Sequence, residues 1–310
     1  MSSSNKHTED LGLDTKSSSK EYRSLNKDGT FNIKKTNLPF MARLNFFHSL
    51  VSMHWLKFLG VILLSYFTIN IVFATLYLLV GIEHLTAFTP ESPFRQFMKA
   101  FFFSAQTITT LGYGRVAPLG LVANTIAAVE SMLGLLLFAL GTGLLYGRFS
   151  KPSTKIIYSR NAIIAPYRGV SGLMFRMVNA RNNQLLEVEV TVNLSLQKPD
   201  ADRREFHQLA LERNKVVFFP SLWTIVHPIE ESSPIHGMGL AQLYENDVEI
   251  IISLRAFDES FSQTVYSRCS YKASEFKWGE KFVYINQIND GTIQIDVARL
   301  NETEKAEISL

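Results

Sequence analysis

The chain carries one cysteine, Cys269, so no intrachain disulfide can form and nothing demands an oxidising compartment. A lone cysteine of this kind reads as a small buried hydrophobe. The seven histidines are scattered without metal-ligand spacing. No Ser/His/Asp constellation and no phosphate-cradling glycine loop occur, which removes the common enzyme classes. His227 and His236 flank Glu230 and Glu231 in a stretch containing Pro228 and Pro234, expected to be a domain-surface loop with pH sensitivity open to it. Charge of one sign is also scarce. The net value is +3 and the pI about 8.8, with no basic stripe of the sort that binds nucleic acid. The first 35 residues hold few apolar side chains and lack the apolar core and cleavage site of a secretory signal, so 1–36 is expected to be a disordered tail.

What is present is hydrophobic surplus, 46% of 310 residues, concentrated in two places. From Phe58 to Ile82 no residue is charged, a run long enough to cross a bilayer. Trp55 and Lys57 stand at its entrance, where an aromatic ring and a snorkelling amine are comfortable. A second span covers about 119–147, interrupted only by Asn124 and Glu130. The first span is set at about 57–82. Ahead of it, 37–54 presents Phe40, Met41, Leu44, Phe47 and Val51 at helical spacing, an amphipathic helix expected to lie in the interface. Lys34, Lys35, Arg43 and Lys57 precede the spans, and Arg148, Lys151, Lys155 and Arg160 follow them. Between them only Arg95, Lys99 and Arg115 stand against Glu83 and Glu91. Positive-inside bias places both termini in the cytoplasm of a cell-membrane protein.

Beyond a basic linker at 148–158 the periodicity becomes two. Leu186, Val188, Val190, Val192, Leu194 and Leu196 alternate with polar residues, a strand with one wet face. Similar runs at Val248–Leu254, Phe282–Ile288 and Thr292–Val297, the last two separated by Asn289-Asp290-Gly291, predict an all-β sandwich over 159–300 and a short tail at 301–310. The fold expected is therefore membrane α followed by a β-sandwich.

Between the spans, 94–108 reads as a short helix unable to cross a bilayer, followed by Thr109-Thr110-Leu111-Gly112-Tyr113-Gly114. Extended backbone at membrane depth is tolerated where it lines a water-filled path or is buried in protein. Dehydrating a potassium ion takes several oxygen ligands at once, and backbone carbonyls supply them without a net charge. The carbonyls of Thr110, Leu111, Gly112 and Tyr113, with the Thr110 hydroxyl, suit such a stack. Gly112 and Gly114 supply conformations closed to side-chain-bearing residues. One chain provides a quarter of such a ring, so three identical partners are expected around a four-fold axis. Permeant potassium is the only ion implied, and no cofactor is.

The interfacial helix before Trp55, Phe102-Phe103-Ser104, the filter, Arg148-Phe149-Ser150-Lys151-Pro152, Ser159-Arg160-Asn161-Ala162-Ile163-Ile164 and Glu231-Ser232-Ser233-Pro234-Ile235 together resemble the inward-rectifier potassium channel family, in its prokaryotic branch. The resemblance covers about 37–300. It implies an immunoglobulin-like cytoplasmic domain, a hinge glycine at Gly134, and pore-facing residues at Phe138 and Tyr146, the latter closing the pore. It also implies regulation by phosphoinositides or other anionic lipids, for which Lys57, Arg148, Lys151 and Lys155 are the candidate contacts. Two positions depart from the family pattern. Phe138 stands where strong rectifiers carry an acid, and Gln106 stands where a glutamate pairs with an arginine to brace the filter. Two arrangements fit Glu130, the lone carboxylate in the spans: pore exposure, or pairing with a neighbouring helix. A membrane-anchored recognition module and a sodium-passing channel, the latter suggested by Gln106, also fit parts of the pattern.

Overall fold

A computed structural model describes residues 22–34, 36–37, 46–86, 91–150, 155–201 and 203–307. These fall into two units, one within 37–151 and the other joining the N-terminal segment to 152–310.

The first unit is helical. After α1 (Phe46–Ser52) come α2 (Trp55–Val80), α3 (Pro93–Ile108) and α4 (Gly120–Phe149). At 1.5 Å per residue α2 and α4 reach about 39 and 45 Å, long and apolar enough to cross a membrane. Residues 38–45, which carry most of the expected interfacial helix, lie outside the described residues. Gly81, at φ 113, ends α2 just before the expected limit. Pro93 starts α3 at its first helical position, where its missing N–H costs nothing. Phe73, Ala74 and Tyr77 of α2 bury against Ala100 and Phe103 of α3, with Phe103 edge-on to Tyr77 at 5.0 Å. A short bridge between Leu85 and Pro118 ties the chain leaving α2 to the chain entering α4.

The second unit is a β-sandwich. One sheet runs β1 (Ile156–Tyr158), β3 (Val170–Asn179), β2 (Ala162–Tyr167), β10 (Phe276–Trp278), with β7 (Trp223–Ile229) also pairing β3. The other runs β5 (Glu205–Gln208), β4 (Leu185–Leu196), β8 (Glu249–Asp258), β9 (Gln263–Lys272), with β6 (Lys215–Phe218) also pairing β4. Their inner faces meet through Val190, Val192, Ile250, Ile252, Phe175 and Ile225. The short α5 (Leu240–Glu245) leads into β8. Two ribbons complete the unit: β11 (Glu280–Phe282) with β14 (Thr303–Lys305), and β12 (Asn286–Asn289) with β13 (Thr292–Ile295). Asp290 and Gly291 both take positive φ, closing the β12–β13 hairpin in a two-residue turn; Asn289, expected in the turn, is the last residue of β12.

Several expectations are corrected here. Residues 22–34 of the supposedly disordered tail are ordered, while 1–21 lie outside the described residues. Arg23 pairs with Glu275 at 3.0 Å and donates to the Ser270 carbonyl, the Ser24 N–H donates to Glu249, and Leu25 is buried. A few long-range ion pairs and one apolar plug order a segment whose composition alone reads as coil. The linker is shorter than expected, since α4 continues through Phe149 and β1 begins at Ile156. The C-terminal tail contributes β14. The run Phe282–Ile288 is two strands, with a break between them. In β4 a bulge at Glu187 (φ 48) shifts the register, so Leu185 is the fully buried residue and Leu186 is not. His227 is no surface residue. It sits in β7 at 4% exposure, its Nδ1 donating to the Ala210 carbonyl and its Nε2 facing the Ser233 hydroxyl at 2.8 Å. Burial holds its pKa below the ordinary value. Burial likewise pushes the Cys269 thiol up to about 11, the inert state expected of it.

The sandwich also encloses a charged pair. The Arg204 side chain is wholly buried, giving Nη1 to Asp247 Oδ2 at 2.6 Å, Nη2 to the Asp247 carbonyl at 2.7 Å and Nε to Ser195 at 2.9 Å. Lys272 holds the other Asp247 oxygen at 2.6 Å.

Candidate functional site

The α3 helix stops where its sequence turns to Thr-Thr-Leu-Gly. The Gln106 carbonyl accepts from the Leu111 N–H at 2.9 Å and the Gly112 N–H at 3.4 Å, and the Thr110 N–H bonds to the Thr107 carbonyl. The end of the helix is thus stitched to the first half of segment 110–114. Beyond it, φ is positive at Thr110 (57), Gly112 (50) and Gly114 (73), and at neither Leu111 nor Tyr113. Alternation of φ sign is the backbone condition for successive carbonyls to face one side. Two of these positions are the expected glycines. The third, a β-branched threonine in the left-handed region, was not anticipated and costs about 1–3 kcal/mol, strain typical of functional backbone. Leu111 and Tyr113 are exposed, Tyr113 at 72%, so the chain's own residues leave this segment uncovered. Arg115 is exposed as well, and Val116 packs on the α2–α3 core.

Behind segment 110–114 the helices interlock. Glu130 of α4 is wholly buried, accepts from the Tyr77 hydroxyl at 2.7 Å, and is bonded to the Ser104 hydroxyl of α3. This corrects the pore-lining role open to it: its side chain points into the protein between three helices. One turn further along α4, Gly134 touches α3 so closely that a Cβ built there would meet the Ile108 carbonyl oxygen at 2.0 Å. Gly134 lies in an unbroken helix, where it permits close approach. Phe138 and Tyr146, eight residues apart and so on one face of α4, are 77% and 74% exposed, uncovered by their own chain.

The basic residues part company. Lys57 and Lys155 are exposed, and Lys151 lies outside the described residues. Arg148 is engaged within the protein: Nη1 donates to the Leu50 carbonyl, Nη2 to the Met53 carbonyl at 2.7 Å, and its plane lies over Trp55 and Phe58 at 4.7 and 4.4 Å from the ring centroids. These carbonyls close the C-terminal end of α1, whose last groups have no intrahelical partner. A guanidinium so committed is a latch between helices. In Arg148→Gln, amide exchange over 46–53 is expected to accelerate on the order of tenfold, as two charge-assisted bonds are lost. Unchanged exchange would show that the latch contributes little. Among the described residues no group of three or more His, Cys, Asp or Glu is placed to hold a metal ion.

Residues 61–150 match the ion channel family, and 156–310 match the inward rectifier potassium channel C-terminal domain. The inward rectifier potassium channel Kirbac3.1 of Paramagnetospirillum magnetotacticum is 33% identical over 90% of this chain and 95% of its own. The chain belongs to the inward-rectifier potassium channel family. Within that family the human G protein-activated inward rectifier potassium channel 3 is 28% identical, covering 91% of this chain and 77% of its own. The human ATP-sensitive inward rectifier potassium channel 8 is 26% identical over 91% and 74%. A solved structure of Spo0M, a sporulation control protein from Bacillus subtilis, overlaps 39% of this chain and 49% of its own with a TM-score of 0.24 at 8% identity, and carries no argument. As an inward rectifier the chain is an ion-transport protein of the membrane, with two transmembrane helices ahead of its β-sandwich.

Proposed function

We propose that the chain is one subunit of a homotetrameric potassium channel. In this reading it conducts through the carbonyls of Thr110, Leu111, Gly112 and Tyr113, closes at Tyr146, couples the pore to its cytoplasmic sandwich, and keeps both termini in the cytoplasm of a cell membrane. The observation that carries the reading is the φ alternation at Thr110, Gly112 and Gly114, directly beyond the end of α3. A helix C-terminus aimed at the segment adds partial negative charge, favourable to a cation. The uncovered faces of Leu111, Tyr113, Phe138 and Tyr146 support assembly around an axis. Lys57, Arg148, Lys151 and Lys155 are the candidates for anionic lipid, at about 1 kcal/mol per charge near the surface. With Phe138 in place of an acid and Glu130 buried, no carboxylate from the spans faces the path, so strong polyamine-dependent rectification is not expected.

The test is rubidium uptake into liposomes loaded with potassium, with and without anionic lipid. Uptake that external sodium cannot replace, and that changes with lipid charge, is expected. Equal sodium and rubidium uptake would overturn the selective reading.

A further inference from the structure

Hydrogen counting around Glu130 assigns a proton. Asn70 of α2 donates from Nδ2 to the Tyr66 carbonyl at 2.7 Å, and a carbonyl can only accept, so the amide orientation is fixed. Its Oδ1, an acceptor, therefore faces the Ser104 hydroxyl at 3.0 Å. Ser104 has a single hydrogen and lies between two oxygens, Asn70 Oδ1 and Glu130 Oε1. Tyr77 gives its one hydrogen to Glu130 Oε2 at 2.7 Å.

With an ionised carboxylate, Ser104 would have to donate to Glu130, leaving Asn70 Oδ1 against another oxygen with no hydrogen between them. All four groups are wholly or almost wholly buried, where no water relieves such a contact. With a hydrogen on Oε1 every group is matched: Glu130 donates to Ser104, Ser104 to Asn70, and Tyr77 to Glu130. The geometry points to Glu130 as a neutral carboxylic acid that donates to Ser104 and holds α3 in register behind the filter.

This deepens the proposed function and rests on it. Glu130 and Gly134, one turn apart on α4, meet Ser104 and Ile108, one turn apart on α3, at successive rungs. Between those two α3 residues lies Gln106, whose carbonyl receives the Leu111 and Gly112 N–H groups. Glu130 is a positioning residue: it touches no ion and acts through α3 on the place where the filter begins.

The test compares full-length channels reconstituted in liposomes and, for infrared difference spectra, in detergent. Glu130→Gln, whose amide donates to Ser104 and accepts from Tyr77, is expected to keep rubidium-over-sodium selectivity. Glu130→Ala is expected to lose it by on the order of tenfold, as buried partners are stranded. The wild-type spectrum should contain a carboxylic-acid carbonyl band that Glu130→Gln removes. No such band, or full selectivity in Glu130→Ala, would overturn the assignment. If Glu130→Ala does not assemble, Tyr77→Phe deletes a single oxygen and should move the band to higher frequency; an unmoved band would equally overturn it. A wild type that admits sodium counts against the conduction reading, while the infrared band still decides the protonated bridge.

Discussion

Gly134→Ala is expected to cut selective rubidium flux by tenfold or more while leaving the sandwich folded. The added Cβ would lie 2.0 Å from the Ile108 oxygen, 2.9 Å from its carbonyl carbon and 3.1 Å from its Cα. These are backbone atoms in the last turn of α3, so no side chain can swing away to relieve the clash. Ordinary overpacking costs about 1–3 kcal/mol, and here the relief available is displacement of the helix that leads into segment 110–114. A hinge role for Gly134 makes a different forecast: altered opening with selectivity intact. Measuring the rubidium-to-sodium uptake ratio beside total uptake separates the two. A variant with normal ratio and normal yield of assembled protein would sink the packing account.

The second large effect lies in the sandwich. Asp247→Ala is expected to destabilise it by about 3–5 kcal/mol, the range for removing one partner of a buried ion pair. Arg204, at 0% side-chain exposure, would keep its charge and lose both the carboxylate and the geometry that holds it. Lys272 would lose its acceptor as well. Cys269, the single thiol and fully buried, offers the readout. Its labelling in native buffer reports opening of the sheet, and the rate should rise by on the order of a hundredfold or more, given the energy above. Labelling at the wild-type rate would show that the pair contributes little.

The spans and the short helix were legible because each rests on local signals, charge-free length and brevity, and the positive φ at Gly112 and Gly114 was legible from the glycines themselves. The sandwich was legible from alternation. The failures share a cause, which is that they depend on the facing element. Whether Glu130 looks at a pore or at protein is a matter of helix phase against Tyr77, Asn70 and Ser104, residues 26 to 60 positions away. Arg148 reads as one more basic residue at a membrane edge until the open carbonyls of Leu50 and Met53 are found beneath it. The bulge at Glu187 breaks alternation on its N-terminal side alone: Val188 to Leu196 keep the expected inward face, while Leu185 takes the place of Leu186. Thr110 carried no signal, since a threonine is not a residue from which positive φ is inferred.

The docking of Arg23, Ser24 and Leu25 on β8 and β9 has a consequence for biosynthesis. Arg23 and Ser270 are separated by 247 positions, with both membrane helices between them. At about 5–20 residues per second the ribosome needs about 12–50 s to make that stretch. Until Glu249 is made, 225 positions after Ser24, the early segment has no partner, and its apolar plug waits in solution while the spans enter the bilayer. The β-sandwich unit closes last, when its first and final portions meet, so a chain halted before residue 249 holds an N-terminal segment with nowhere to dock.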